Sequence, residues 1–591
     1  MVNADTLREL TVSAFRKNAI RSVLLMDERF PKHYQVGTEA FDTADAKVCA
    51  KLYKEFNDQG LLCDVENDTG LMKAGTASQI QKSDLLVLDL HLNKSDDTDI
   101  ADSVEILKSL ADSDHFNLVI VYTAMKELHA VGRQLAGSLR GKTSSVEADE
   151  NVRDDITIAV TELRESNIEI PITDCIDSFL LGGRHSGAEL GKFKGVVAKD
   201  LDQALKPFIN VIVCDLALHA LEHDYKSIME AETRDIKAGN FSTTNPWFAC
   251  GSLFVVVANK QETPPSDGAL LAVLDEALTD WNPGVVRCLL SEIQNCIVNS
   301  GCPYDTVVEN DALTQVGWLY HAKQEQAISA ERWKVAVSQL TERVLGTLGR
   351  QVASKASLIE LSDKSLGAIE FADDPKERIA ELSRANGVPE DMKLVFIDVL
   401  HALNVFLSSD EFGAERHYVT TGTVLKTSLG GDDEWWLCVE PGCDTVPDQS
   451  GDDQFIRLRM LRLKPVTSLK RPLTTATHGR FVFVCHEDQR FYFDTQDKTH
   501  DLIEVYVPRQ NQIVDENGMR IVRFWKIRTD SDTLSHVEGQ AVPISQMREA
   551  NASRLLHEAG HHQSRTGVDF VRCTEEDFDA FNAPRRQRNE V

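Results

Sequence analysis

Three acidic residues and one hydroxyl, each closing a short apolar run, are the residues of this chain whose types and order best suit a reaction. Asp27-Glu28 follows Val23-Leu24-Leu25-Met26, Asp89 follows Leu85-Leu86-Val87-Leu88, and Thr123 ends Leu118-Val119-Ile120-Val121-Tyr122. In a doubly wound parallel sheet, polar residues that terminate successive buried strands converge on one crevice at the carboxyl ends. Hard oxygen ligands suit Mg²⁺, and a divalent cation offsets charge on an incoming phosphoryl group. In that chemistry Asp27 and Glu28 hold the metal, Asp89 is both nucleophile and ligand, and Thr123 donates to a phosphoryl oxygen. A lysine pairs with Asp89 or the phosphate, and Lys260 is the first choice. Tyr122 would then report an inward shift of Thr123 on the face formed by the fourth helix, fifth strand and fifth helix.

These residues need a scaffold, and the sequence supplies one from Ala19 to about Ala124. Short apolar runs alternate with helical segments, the sign of βαβ units. Strands are expected at Ser22–Met26, Leu61–Glu66, Leu85–Asp89 and Leu118–Thr123, with helices around Ala44–Gln59 and Ala101–Ala111. The fifth strand does not follow at once. Gly195–Lys199, which would bring Lys199, and Ser252–Lys260 are the two candidates. The second is preferred because it is longer and an amphipathic helix with Leu270, Leu271, Leu274 and Leu278 comes directly after it. That choice makes residues 127–247 an insertion in a domain spanning 1–282.

Residues 283–412 read as a helical connector, with periodic segments at Val285–Val298 and Ala330–Leu348. Residues 413–543 change texture to short alternating or aromatic runs, a β-rich barrel or sandwich, with Asn517-Gly518 as a two-residue hairpin signal. Residues 544–591 are expected to form a C-terminal helix and a charged tail. The fold class is therefore multidomain: a doubly wound α/β domain with a long insertion, a helical middle and a β-rich part ending in a helix. A chain of 591 residues is long enough for several cores.

The formal charge of −30 disfavours direct nucleic-acid binding, which needs a basic surface. The run Arg457, Arg459, Arg462, Lys464, Lys470 and Arg471 is expected to be the solvated face of a strand and its loop. No apolar run has the length of a membrane span. The start lacks a secretory signal, and the 12 cysteines show no paired metal-ribbon spacing. Both point to a cytoplasmic protein with reduced thiols.

Two other constellations compete. His557-Glu558-Ala559-Gly560-His561 fits HExxH on a helix, where His557 and His561 would bind Zn²⁺ and Glu558 would activate its water. The third ligand would come from His562, Glu575 or Glu576, and little chain remains to build a peptidase cleft. Cys443-Asp444 and Cys485-His486 would form a thiol–imidazole pair, or part of a structural metal site, if the sheet brought them together. Buried structural cysteines are the commoner outcome.

The strand ends Leu-Leu-Met-Asp-Glu, Val-Leu-Asp-Leu and Val-Tyr-Thr-Ala resemble the response-regulator receiver family in order and in spacing up to Ala124. The whole chain is similar to a divergent receiver family of bacterial conflict systems, on Trp281-Asn282-Pro283, Leu289-Leu290-Ser291-Glu292-Ile293, Thr421-Gly422 and Trp436–Asp444. That resemblance implies a partner protein with a GHKL (histidine-kinase-like) ATPase fold and a role in anti-phage defence. The chain departs from the family in His91, in the acidic loop with Asp96, Asp97 and Asp99, and in a distant Lys260 without the proline that usually follows. These departures favour a receiver kept as a docking surface over a phosphorylated one. The expected function is a regulatory or adaptor protein acting on a partner ATPase, not itself a catalyst; the runner-up is a zinc-dependent hydrolase.

Overall fold

The computed structural model describes residues 4–563 apart from several segments, the longer being 39–42, 69–82, 93–98, 141–149, 166–169, 181–187, 217–233, 301–311, 320–329, 447–453, 476–479 and 496–501. The chain divides into two compact units, Met1–Tyr304 with Leu345–Met392, and Asp305–Val344 with Lys393–Val591.

The first unit is built on a seven-stranded sheet. Its strands are β1 (Ser22–Met26), β2 (Leu62–Glu66), β3 (Leu85–Leu88), β4 (Asn117–Thr123), β5 (Ile236–Ala238), β6 (Trp247–Cys250) and β7 (Leu253–Asn259). They lie in the order β2-β1-β3-β4-β7-β6-β5. The first five are parallel, and β6 and β5 add an antiparallel edge. The helices are α1 (Ala4–Val12), α2 (Thr43–Asp58), α3 (Ala101–Ala111), α4 (Leu128–Arg140), α5 (Glu150–Glu165), α6 (Ala188–Asp200), α7 (Ala269–Asp280), α8 (Val285–Ser300), α9 (Ala330–Ala353), α10 (Ala356–Gly367) and α11 (Pro375–Ala385), with α9 crossing from one unit to the other.

The central strands are apolar on both sides because helices cover both faces. Leu86, Leu88, Val119 and Val121 face a core shared with helices α3, α4, α5 and α6. Leu85, Val87, Leu118, Ile120 and Tyr122 face the opposite core, with α1, α2, α7 and Trp281. Each fully buried Val, Leu or Ile is worth roughly 1.5–3 kcal/mol. A one-residue slip of β4 would exchange the two sets, so packing fixes which way Thr123 points. The N-terminal helix α1 precedes the region in which the sequence pattern was informative. The helical turn Ser13–Lys17 that follows it is tied down by the Arg16 guanidinium on Asp275 and by Asn295 Nδ2 donating to the Ala14 carbonyl (2.8 Å).

Gly195–Lys199 forms part of helix α6 rather than a strand. Its Val197 is buried while Gly195, Val196 and Lys199 are exposed, the spacing of a helix with one face inward. The fifth parallel strand is β7, hydrogen-bonded to β4 along its length from Asn117↔Leu253 to Thr123↔Asn259.

The second unit is an antiparallel barrel. Its strands are β8 (Ser409–Glu411), β9 (Thr423–Leu429), β10 (Asp432–Cys438), β11 (Phe455–Pro465), β12 (Phe481–His486), β13 (Gln489–Asp494), β14 (Leu502–Pro508), β15 (Ile513–Glu516), β16 (Met519–Asp530) and β17 (Thr533–Met547). The path β10-β9-β17-β16-β14-β11 is closed by a β10–β11 pairing. Period-two alternation divides β10 between two cores: Trp436 and Cys438 face one with Leu458, Met460 and Phe524. Trp435, Leu437 and the following Val439 pack with β12, Phe493 and helix α13 (Glu549–Gln563). Helix α12 (Phe396–Ser408) lays Val405 on Phe481 and Phe483.

Glu516 pairs with Met519 around Asn517-Gly518, which themselves lie outside the described residues. Strand β17 extends to Met547, so the terminal helix starts at Glu549 rather than Ile544. Gly539 hides that strand from a sequence reading. A Cβ there would lie 2.4 Å from Phe524 Cζ, so the glycine marks a close approach inside a strand. On β11, Arg457, Arg459 and Arg462 pair with Glu504, Glu440 and Glu434 of neighbouring segments.

Candidate functional site

The strand order 2-1-3-4-5 in the parallel part places a topological switch point between β1 and β3, where ligands of such sheets bind. Asp27 and Glu28 leave β1 there and Asp89 leaves β3. Asp27 and Glu28 are each 3% exposed and Asp89 8%. One carboxylate oxygen from each lies within 4.8 Å of the others, a grouping that could hold one metal ion. Thr123, fully buried at the end of β4, completes the next strand end.

The lysine comes from far along the chain. Lys260, 233 positions from Asp27, follows β7 and donates to Asp27 Oδ2 at 3.0 Å, and its ammonium lies 3.1 Å from Asp89 Oδ1. Its position is set by β7 packing on β4, and its backbone N–H donates to the Thr123 carbonyl (2.7 Å). The rings of Phe30 and Tyr122 lie 5.9 Å from the ammonium. Lys199 stands exposed on α6, so of the two lysines the structure seats Lys260 on the carboxylates.

One ammonium and the half-exposed Arg29 guanidinium, set against three buried carboxylates, leave the site short of positive charge. Burial pushes Asp89 up to about 7; Lys260 works against the rise, and Asp27 and Glu28 add to it. Burial also raises Glu28, with Asp27 adding to it. Burial opposes the Lys260 charge, but Asp27 and Asp89 outweigh it and hold that ammonium above its ordinary value. Glu28 Oε1 accepts from Arg29 Nε (3.1 Å), whereas its buried Oε2 finds no hydrogen-bond partner among the described residues. A buried carboxylate oxygen without a donor, beside two further carboxylates, fits a hard divalent cation.

The surrounding loops settle several expectations. Asp99 Oδ1 accepts from the Ala101 N–H (2.9 Å) at the start of α3, so this carboxylate serves the helix. Asp96 and Asp97 lie outside the described residues, as do Glu575 and Glu576. Tyr122 is buried and its hydroxyl donates to the Thr263 carbonyl (2.7 Å). It packs in the core below the site rather than on an outer face. Asn259, whose side chain joins the loops after β4 and β7, was not singled out in the sequence; the only signal was its place directly before the lysine.

The other constellations find no support among the described residues; the side chains of His561 and His562 lie outside them. Among the described residues, Asp27, Glu28 and Asp89 form the one group of metal-ligand type. His557 and Glu558 are exposed on α13, where Glu558 pairs with Arg554 (3.0 Å). Cys443 donates to Asp444 Oδ1 (3.3 Å), a bond that raises its pKa instead of activating it. Cys485 meets Ser409 Oγ at 4.0 Å and His486 meets Glu487 at 3.9 Å, so neither is engaged with Cys443.

A parallel sheet of this order, with three carboxylates, a hydroxyl and a lysine at its switch point, defines a receiver-type domain. The family model for the response receiver domain matches residues 19–167, about a quarter of the chain. That match takes in β1 to β4 and ends before β7, so Lys260 is supplied from outside the matched segment. No curated protein and no solved structure matches the chain. A receiver domain supports a regulatory or adaptor role in signal transduction, exercised through partner proteins. Among the described residues no helix is long and apolar enough to cross a membrane.

Proposed function

We propose that this protein is a receiver-type regulator that takes a phosphoryl group on Asp89 and passes the change to a partner protein. The observation that carries the reading is Lys260, which reaches both Asp27 and Asp89 from a strand beyond a long insertion. Two of the departures that favoured a docking role weigh less in the folded chain. The lysine is distant only in sequence, and Asp99 is turned to a helix start.

In the proposed reaction, ionised Asp89 attacks the phosphorus of an acyl phosphate or phosphohistidine. The carboxylate-oxygen-to-phosphorus bond forms as the bond to the leaving group breaks, and that group departs with the electron pair. Asp27, Glu28 and Asp89 are the residues that would hold Mg²⁺, which when bound supplies charge neutralisation for the phosphoryl oxygens. Lys260 shifts from Asp89 to the phosphoryl group while keeping Asp27, and the Thr123 hydroxyl donates to a phosphoryl oxygen. Because burial holds Asp89 near 7, the nucleophile is ionised to a greater extent as the pH rises past neutrality.

For the partner, the resemblance to receivers of bacterial conflict systems points to a cytoplasmic GHKL-type ATPase and to anti-phage defence. Incubation with acetyl phosphate and Mg²⁺ should add one phosphoryl group by intact mass, and Asp89→Asn should abolish it. Beryllofluoride with Mg²⁺ should raise the melting temperature of the unmodified chain. No adduct and no beryllofluoride response would refute the phosphoacceptor reading and leave docking alone.

A further inference from the structure

We infer that Asn259 is a positioning residue that holds Thr123 and Lys260 in register for the phosphoryl group, an inference that rests on the phosphoacceptor reading. Asn259 is the last residue of β7, directly opposite Thr123, and is 3% exposed. Every polar function of its side chain points to one of two loops. Its Oδ1 accepts from the N–H groups of Gln261 (2.7 Å) and Glu262 (3.1 Å), closing the turn that carries Lys260. Its Nδ2 donates to the Met125 carbonyl (2.7 Å), which lies in the loop that carries Thr123. Two backbone donors on one side and a carbonyl on the other fix which end of the amide is oxygen.

The consequence reaches the reacting group through one residue. Met125, held by its carbonyl, donates its own N–H to Thr123 Oγ1 (3.2 Å). With that lone pair occupied, the Thr123 hydroxyl has its single proton free to donate outward. The same asparagine braces the turn after the strand, where Gln261 stands in place of the proline usual in receivers. One side chain thus sets the donor hydroxyl and the cation that a phosphoryl group would meet.

Asn259→Asp separates the two roles. The carboxylate keeps an acceptor for Gln261 and Glu262, but it has no proton for Met125 and faces that carbonyl with like polarity. Beryllofluoride with Mg²⁺ serves as the phosphoryl probe, read by calorimetric titration of the full chain, and Mg²⁺ alone is titrated in parallel. Loss of one hydrogen bond to a charged group predicts an affinity for beryllofluoride about tenfold lower, while the Mg²⁺ affinity does not fall. Thr123→Ala should lose a similar factor, and the double variant should lose no more than Thr123→Ala alone, because Asn259→Asp keeps the acceptor for the Lys260 turn and loses only the contact that acts through Thr123. Hydrogen exchange at Met125, measured without ligand, should be faster in Asn259→Asp and in Asn259→Ser. Additive losses, or unchanged exchange at Met125 in both variants, would overturn the assignment of Asn259 while leaving the phosphoacceptor reading intact. An unmodified chain that ignores beryllofluoride overturns both.

Discussion

The charge shortage around Asp89 makes a quantitative prediction about stability. Moving this carboxyl from its ordinary 3.8 to about 7 is a change of about three pH units, each about 1.4 kcal/mol, so ionised Asp89 costs the fold about 4 kcal/mol. Below 3.8 both the folded and unfolded chains hold the proton, and there is no cost. Between 3.8 and about 7 the unfolded chain releases it while the folded chain retains it, so stability falls as the pH rises through this window and levels off above it. An amide cannot ionise. Asp89→Asn should therefore gain on the unmodified chain by about 3 kcal/mol between pH 5 and pH 8, roughly two pH units of the window, whatever constant offset the substitution brings. Urea-dependent hydrogen exchange of peptides covering Leu85–Leu88 and Leu118–Val121 reads the first unit directly. With Mg²⁺ at pH 8 the gap should narrow, because a cation compensates the carboxylates. A gap that is constant with pH, or one that closes as the pH rises, would show that burial does not hold Asp89 up and would refute the electrostatic account of the site.

Four further outcomes follow from the same geometry. Lys260→Met should destabilise the first unit by about 3 kcal/mol at pH 8, since removing one partner leaves buried carboxylates uncompensated, whereas exposed Lys199→Ala should melt within error of the unmodified chain. Glu28→Gln should weaken the rise in melting temperature produced by Mg²⁺, and an equal rise in both proteins would remove Glu28 from the ligand set. Gly539→Ala should cost the barrel about 1–3 kcal/mol through overpacking on Phe524, and Phe524→Leu in the same chain should recover part of that by making room. Metal analysis of purified protein should find no stoichiometric zinc, and His557→Ala should leave the melting curve unchanged; zinc lost together with a hydrolytic activity in that variant would contradict the assignment of α13 as structural.

The parallel strands were legible because burial on both faces demands continuous apolar runs, and Val23–Met26, Leu85–Leu88 and Leu118–Tyr122 have little polar content to confuse the pattern. Strand ends were equally readable, since Asp27, Asp89 and Thr123 are the first polar residues where those runs stop. The barrel was harder. Strand β17 carries Gly539 and Pro543 and has a register irregularity between Pro543 and Ser545, features that weaken local strand signals although the neighbours β9 and β16 supply its hydrogen bonds. Helix α1 was missed for a related reason: its anchor contacts, such as the thiol of Cys288 beside Thr11 Oγ1 (3.8 Å), come from hundreds of positions away.

By itself, then, the chain determined which residues end strands and which chemistry their oxygens suit, because both follow from neighbours a few positions apart. It could not decide which lysine would stand among them. Ser252–Lys260 was preferred over Gly195–Lys199 for its longer run, but only the pairing of β7 with β4 places Lys260 on Asp27 and Asp89 while α6 turns Lys199 to solvent. Burial of the carboxylates, the orphaned oxygen of Glu28 and the reach of Asn259 to Met125 are likewise tertiary facts, since each depends on distances closed by packing across the sheet rather than on order along the backbone.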